Sequence, residues 1–176
     1  MKLIVGLGNP GENYKNTRHN TGALFLDYVR QQKTSSPWKE SSRFKSLISE
    51  TNLGDQKCLL VFPQTYMNLS GQATSSVMKY YKISSEDLVV VYDDLDLQLG
   101  KYKFADHGPK CHNGLNDVLC QIDSNFLQIR IGIDGRGDNR TMSGKDYVLT
   151  PFIADERTIL NQTFEHIYAE LVSHLK

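Results

Sequence analysis

One histidine and a few carboxylate side chains are the residues of this sequence best suited to acid–base catalysis. His19 lies between Arg18 and Asn20 in a polar segment near the N-terminus. Histidine has an ordinary pKa of about 6.5 and is therefore the natural general base at neutral pH. A carboxylate on one ring nitrogen, from Asp93 or Asp94, would fix the tautomer and favour the imidazolium form.

Three asparagines extend this set. Asn9 and Asn68 follow predicted strands, and Asn113 lies in a loop. Their amides can donate to a carbonyl oxygen that becomes an oxyanion, or can hold a substrate amide. The sequence has no G-x-S-x-G nucleophile elbow, so His19 would most simply activate water directly. Such a site suits a reactive bond such as an ester better than a peptide bond.

Each of these residues also has a purely structural interpretation. A histidine beside Asn20 can serve as a hydrogen-bond partner, and an aspartate can belong to a turn or a helix cap. Asparagines often satisfy backbone groups in turns, and Met67 can belong to the core. Cys111 and His112 also suggest a nucleophile with its base, or metal ligands together with His107. We disfavour both, because adjacent side chains rarely face each other and no third ligand stands at a metal spacing.

Apolar runs and amphipathic stripes define the elements that must position these residues. Strands are predicted at residues 2–6, 46–50, 57–62, 88–92, 101–104 and 126–133. Four helices are predicted: one from about Thr21, one after Gly71, one from Leu115 to Ile122 and one from about Asp155. The buried face of the second helix is formed by Ala73, Val77, Tyr80 and Tyr81. Residues 31–45 are predicted to form a surface loop.

This alternation predicts an α/β fold, with one domain over residues 1–176. The expected sheet is twisted, mixed and mostly parallel, with helices on both faces. Ligands of such sheets bind outside the carboxyl ends of the strands. Asn9, Asn68 and Asp93 all follow strands at that edge, and loops can bring His19 and Asn113 to it.

Composition excludes several classes of protein. Of 176 residues, 39% are hydrophobic and 23% are charged, which is neither a disordered nor a membrane composition. No apolar run approaches the roughly 20 residues of a spanning helix, and the N-terminus lacks the features of a signal peptide. We therefore expect a cytoplasmic protein whose three cysteines are reduced. The 20 basic and 20 acidic residues argue mildly against a nucleic-acid partner but leave room for a local basic patch.

Three glycines near the N-terminus match the dinucleotide-binding fingerprint. Gly6, Gly8 and Gly11 have its spacing, and a cofactor-dependent oxidoreductase would use them to approach a pyrophosphate. In that motif the last glycine opens a helix. Residues 12–20 are polar and have no helical period, so we disfavour this reading.

Four motifs resemble the signature of bacterial-type peptidyl-tRNA hydrolase, in the order and spacing of that family. They are Gly-Leu-Gly-Asn-Pro-Gly-x-x-Tyr-x-x-Thr-Arg-His-Asn at 6–20, Pro-Gln-Thr-Tyr-Met-Asn-Leu-Ser-Gly at 63–71, Asp-Asp-Leu-Asp-Leu at 93–97 and His-Asn-Gly-Leu at 112–115. The resemblance covers nearly the whole chain. It implies hydrolysis of the ester that joins a peptide to the 3′ ribose of tRNA, with no metal or cofactor.

The resemblance also implies a role for each site residue. His19 would be the base that activates water, and Asp93 would support its basic form. The groups that would bind the peptide backbone and the CCA end are Asn9, Asn68, Asn113, Tyr14, Tyr66 and Met67. Asn9 is the candidate for recognising the neutral amide of an N-blocked substrate and rejecting an ammonium group.

Two departures from the family pattern concern tRNA binding. A usually glycine-rich run reads His-Gly-Pro-Lys-Cys at 107–111, which should make this loop stiffer and more basic. The family commonly clamps the tRNA 5′-phosphate with two basic residues; Arg130 stands at one position and Ala105 at the other. Lys101, Lys103 or Lys110 can compensate, so Lys103 and Arg130 are the expected contacts to the acceptor stem.

We expect a monomer whose partner is peptidyl-tRNA and which does not bind membranes. A non-catalytic RNA-binding protein on the same scaffold is the alternative. The presence of the whole set of polar site residues argues against it.

Overall fold

A computed structural model of the protein describes residues 1–32, 35–109, 111–122, 124–137 and 140–175. Its strands are β1 (Lys2–Gly6), β2 (Lys39–Ser41), β3 (Ser46–Leu53), β4 (Gln56–Pro63), β5 (Leu88–Gln98), β6 (Tyr102–Ala105) and β7 (Leu127–Asp134). Its α-helices are α1 (Thr21–Gln32), α2 (Ser70–Tyr81), α3 (Asn113–Gln121), α4 (Gly144–Tyr147) and α5 (Ala154–His174). Among these residues, no helix combines the length and the hydrophobicity that crossing a bilayer requires.

The strands form one sheet in the order β2-β3-β4-β1-β5-β7-β6. Its four central strands, β4, β1, β5 and β7, are parallel, while β2, β3 and β6 run antiparallel to their neighbours. The α/β prediction of a mixed, mostly parallel sheet is therefore confirmed. The carboxyl ends of β1, β4 and β5 meet at one edge, where ligands of such sheets bind.

Alternating side chains of the central strands fill two cores, one on each face of the sheet. Ile4 packs with α1 and α5, around Phe25 and Phe164. Its neighbours Leu3 and Val5 pack on the other face with α2 and α3. Because successive side chains of a strand point to opposite faces, a continuous apolar run predicts a strand that is covered on both sides.

The N-terminal glycines serve packing and turning. A Cβ atom at Gly6 would lie 2.4 Å from the carbonyl oxygen of Gly22 in α1, so only glycine permits this approach of helix and strand. Gly11 has a φ of 101°, which glycine adopts at no steric cost. Helix α1 begins at Thr21, as predicted, and no helix starts at Gly11.

Three expectations about local structure are wrong. The predicted surface loop at 31–45 contains the short strand β2. Strand β5 continues past Tyr92 to Gln98, so Asp93 lies within a strand and not in a turn. The spacing of α2 predicts Tyr80 on its buried face, yet this residue is 51% exposed. Its position near the last turn of the helix lets the ring reach past the core.

Candidate active site

The backbone around His19 is held by the segment between α4 and α5. His19 lies in a 3-10 turn, Arg18–Asn20. Its backbone N–H donates to the carbonyl oxygen of Val148 at 2.8 Å, and the N–H of Arg18 donates to that of Thr150 at 3.1 Å. A β-bridge between Thr17 and Pro151 continues this contact. The position of the imidazole therefore depends on a segment about 130 residues away in sequence.

His19 and Asp93 form a close pair. His19 Nδ1 lies 3.0 Å from each carboxylate oxygen of Asp93, and this side chain of β5 is 2% exposed. Burial by itself would lower the pKa of His19, but the charge of Asp93 and its hydrogen bond outweigh burial and raise that pKa above 6.5. Burial would raise the pKa of Asp93, but His19 and His112 hold it far below the usual range.

The neighbouring carboxylate, Asp94, makes different contacts. Its Oδ2 accepts from Arg130 Nε at 2.7 Å, and its Oδ1 accepts from the backbone N–H of Asp96 at 2.9 Å. Adjacent side chains of a strand point to opposite faces, so only one of the two aspartates can face His19. Asp93 is that residue, while Asp94 supports the irregular end of β5.

His112 is a member of this cluster that the sequence did not reveal. It is the N-cap of α3: its Nδ1 accepts from the backbone N–H of Leu115 at 3.1 Å. The proton of this imidazole must then be on Nε2, which lies 3.1 Å from Asp93 Oδ1 and donates to it. The position of His112 just ahead of a predicted helix could have indicated its role as an N-cap. It could not have indicated the hydrogen bond from its Nε2 to Asp93.

The structure does not support pairing His112 with Cys111 or His107. Cys111 is exposed, whereas His112 is buried. His107 Nδ1 lies 2.6 Å from its neighbour Asp106. His112 instead faces His19, and their ring centroids are 5.0 Å apart.

His19, Asp93 and His112 also offer three ligand atoms within 4.8 Å of one another, the kind of group that can hold a metal ion. Hydrogen bonds join the same three side chains, because Asp93 Oδ1 accepts from His19 Nδ1 and from the protonated Nε2 of His112. A metal ion would have to displace that proton. We therefore interpret the cluster as a carboxylate shared by two imidazoles.

The side-chain oxygen of Asn9 is hydrogen-bonded, whereas its Nδ2 has no hydrogen-bond partner among the described residues. Its Oδ1 accepts from the backbone N–H of Met67 at 2.9 Å, which identifies the oxygen. Its backbone N–H donates to Asn20 Oδ1, and its carbonyl oxygen accepts from Asn20 Nδ2, both at 2.9 Å. Asn9 Nδ2 is therefore a hydrogen-bond donor without a partner in the described part of the chain.

A cavity of about 560 Å³ joins these groups. The polar and charged residues that line it are Asn9, His19, Asp93, Asp94, Asp96, His112, Asn113 and Lys145. Apolar side chains form much of the wall: Met67, Leu95, Pro109, Val148 and Leu149. The cavity is therefore shaped for a ligand with both apolar and hydrogen-bonding parts.

Three of the predicted binding residues do not line this cavity. Asn68 is exposed on the 3-10 turn Met67–Leu69, and Tyr66 before it is 62% exposed. Tyr14 is half-buried in the turn that leads to His19. The 3-10 turn buries the side chain of Met67, whereas the side chains of Tyr66 and Asn68 on either side are exposed to solvent. Any contact of these three residues with a ligand must therefore occur beyond the cavity itself.

Lys103 and Arg130 lie opposite each other in the antiparallel pair of β6 and β7. Opposite residues share a face of the sheet, so the two cations are neighbours. Arg130 is already paired with Asp94, whereas Lys103 has no ion pair within the described part of the chain. Ala105 lies opposite Gln128, and Lys110 falls outside the described residues.

Comparisons with known proteins agree on one family. The family model described as peptidyl-tRNA hydrolase matches residues 3–176. A peptidyl-tRNA hydrolase of Rickettsia bellii is 42% identical over 168 residues, covering 95% of this chain and 89% of its own. One from Brevibacillus brevis is 40% identical over 167 residues, covering 92% and 85%. The crystal structure of peptidyl-tRNA hydrolase from Acinetobacter baumannii superimposes with a TM-score of 0.88 at 33% identity, covering 99% of this chain and 88% of that one.

Proposed function

The chain belongs to the peptidyl-tRNA hydrolase family and hydrolyses the ester of peptidyl-tRNA, and we propose that His19 is the general base of this reaction. The observation that carries the proposal is the contact of His19 Nδ1 with both oxygens of buried Asp93, at 3.0 Å. Since Nδ1 donates to Asp93, the lone pair of the neutral ring is on Nε2. This nitrogen is then free to accept a proton from water in the cavity.

The reaction then needs no covalent enzyme intermediate. Nε2 of His19 accepts a proton from water while the oxygen of that water attacks the ester carbonyl carbon. Asp93 stabilises the imidazolium that forms, as its effect on the pKa of His19 indicates. When the tetrahedral intermediate collapses, the imidazolium returns the proton to the departing ribose oxygen. The products are a free peptide carboxyl group and tRNA.

Asn9 is proposed to select substrates that carry an N-acyl group. Its free Nδ2 is a donor, because Met67 already occupies Oδ1. The carbonyl of a peptide or N-acetyl group can accept from this donor. A free aminoacyl ester instead presents an ammonium group, which has only donors and leaves Nδ2 unpaired.

The tRNA part is proposed to extend from the cavity along its rim. Asn113 at the start of α3 and Met67 would contact the terminal nucleotide, with Asn68, Tyr14 and Tyr66 at the outer edge. Lys103 and Arg130 would contact phosphate of the acceptor stem. We further propose that the protein acts as a cytoplasmic monomer of one domain, without a metal or cofactor.

The decisive experiment replaces His19 and measures hydrolysis of N-acetyl-aminoacyl-tRNA. His19→Asn should lose about 10²–10⁴-fold in kcat, the usual contribution of a general base. His166→Asn, on the exposed surface of α5, is the matched control and should keep full activity. Equal activity of the two variants would refute a catalytic role for His19. Inactivity of the unmodified protein together with retained tRNA binding would favour the non-catalytic RNA-binding alternative.

A further inference from the structure

An aromatic cluster with a bound arginine lies at the β3 end of the sheet. The ring of Phe44, which precedes β3, is 5.2 Å from that of Tyr80 and 6.0 Å from that of Tyr81, at the end of α2. The guanidinium of Arg43 lies over the Tyr80 ring, 4.2 Å from its centroid. Phe44 is buried, but Arg43 is exposed and Tyr80 is 51% exposed. The cluster therefore presents a fixed cation and an aromatic surface to solvent.

Further cations surround this cluster. The Arg43 surface comprises six exposed residues: Lys39, Arg43, Lys45, Lys79, Tyr80 and Lys82. Lys45 ends the turn that contains Arg43. In α2 and just after it, Lys79 and Lys82 flank the two tyrosines. A neighbouring cavity of about 370 Å³ is lined by Lys39, Phe44 and Tyr81.

Within the described part of the chain, none of the five cations forms an ion pair. The nearby acid Glu50 is paired with Lys57, although Glu40 remains beside Lys39. Since the whole sequence has no net charge, this corner carries a local excess of positive charge.

Phosphate groups and unstacked bases are the chemistry that fits such a surface. Lysines bind phosphate as point charges, and the planar guanidinium of arginine binds phosphate with two N–H groups or stacks on a base. Arg43 loses little freedom on binding, because Tyr80 already holds its guanidinium. Aromatic rings among basic residues are typical of sites for single-stranded nucleic acid. An acidic peptide would use the lysines but would gain little from Tyr80.

The position of the surface separates it from the proposed acceptor-stem contacts. Strands β4, β1 and β5 lie between β3 and β7, so the Arg43 surface and Arg130 are at opposite ends of the sheet. Four strand spacings correspond to about 19 Å. A contact of the acceptor stem with Lys103 and Arg130, as proposed above, therefore does not itself involve the Arg43 surface.

We propose that the Arg43 surface is a second RNA-binding site, which binds single-stranded RNA separately from the catalytic cavity. The direction assigned to the acceptor stem rests on the proposed function, but the binding chemistry of this surface does not. Occupancy of the two sites is therefore expected to be independent.

The test measures binding of a fluorescein-labelled uridine dodecamer, which has no CCA end, at several salt concentrations. The variant Arg43→Gln/Lys79→Gln should weaken binding about tenfold and lower the salt slope by about 1.4, because each lost phosphate contact to a single strand contributes about 0.7. The matched control, Lys2→Gln/Arg157→Gln, removes the same charge without releasing Glu50 beside the Arg43 surface, and should change neither quantity. Tyr80→Leu should also weaken binding about tenfold, through lost stacking.

Three outcomes would overturn the proposal. The first is equal binding by the Arg43/Lys79 variant and its control. The second is displacement of the dodecamer by an N-acetyl-aminoacyl minihelix, which would assign the surface to the substrate. The third is tighter binding of a labelled acidic peptide than of the RNA. Hydrolysis of N-acetyl-aminoacyl-tRNA should be unchanged in both double variants, so failure of this proposal is distinguishable from failure of the catalytic one.

Discussion

His112 Nε2 lies 3.1 Å from Asp93 Oδ1, the same oxygen that is 3.0 Å from His19 Nδ1. One buried carboxylate therefore accepts N–H groups from two imidazoles. The second imidazole is fixed by the cap it makes on α3, since Leu115 donates to its Nδ1. Helix α3 thus positions the carboxylate that supports the proposed base.

Replacing His112 should increase the basicity of His19. In His112→Asn, an asparagine can still cap α3, but Asp93 loses one N–H donor. The carboxylate should then attract the imidazolium of His19 more strongly and raise its pKa further. Since the base must be neutral, the acid limb of the kcat/KM profile should move to higher pH. An unmoved limb would show that His112 contributes only to the stability of α3.

Asp93→Asn should have the opposite effect on pH dependence. Without the carboxylate, burial becomes the leading influence on His19 and lowers its pKa. The acid limb should move to lower pH while kcat falls about 10²–10⁴-fold, because the amide no longer fixes the reactive tautomer. Asp55→Asn, in the exposed turn between β3 and β4, is the control and should match the unmodified protein. A fall in kcat without any movement of the limb would contradict this account of Asp93.

The sequence reveals the sheet edge but only part of the site. Apolar runs such as Leu3–Val5 predict buried strands, because a strand covered on both faces needs apolar side chains at successive positions. Residue type and position suggest His19, Asn9 and one of the two aspartates, Asp93 or Asp94, while the family resemblance singles out Asp93. They do not suggest His112, because its second partner is distant in sequence and depends on the register of β5. The exposure of Tyr80 and Tyr66 depends on how α2 and its preceding turn pack, which residue spacing does not encode.

Substitution of Asn9 should reduce discrimination between substrates. Asn9→Asp retains an acceptor for the Met67 N–H but replaces the free donor by a carboxylate oxygen. We expect kcat/KM for N-acetyl-aminoacyl-tRNA to fall about tenfold or more, as for loss of one buried hydrogen bond. The kcat/KM for free aminoacyl-tRNA should rise relative to the kcat/KM for N-acetyl-aminoacyl-tRNA, because a carboxylate attracts the ammonium group of the free ester. A parallel loss on both substrates would show that Asn9 does not recognise the N-acyl group.

Lys103→Ala should weaken binding of whole tRNA and leave short CCA esters unaffected. Lys103 is exposed and has no ion pair in the described structure, so its removal leaves no buried charge behind. We expect a higher KM for N-acetyl-aminoacyl-tRNA and a salt slope smaller by about 1, with kcat unchanged.

Arg130→Ala should affect the same substrate, but it also leaves Asp94 without its partner. Arg130→Lys, which keeps the charge, separates the two effects. Equal losses on tRNA and on short esters would refute the phosphate contact for either residue.

Arg18 should be essential for stability, because it joins the His19 turn to the start of α5. Its side chain is 5% exposed, pairs with Glu156 and bonds to Thr150 Oγ1 at 2.9 Å. Its guanidinium also lies 4.3 Å from the centroid of the Tyr147 ring.

Arg18→Gln removes the positive charge and leaves Glu156 nearly buried without its ion partner. The free energy of unfolding should fall by about 3–5 kcal/mol, as measured by urea denaturation. Lys57→Gln breaks an exposed pair with Glu50 and should cost less than about 1 kcal/mol. If both variants unfold at the same urea concentration, Arg18 does not stabilise this junction and the fixed position of His19 must arise from its backbone contacts alone.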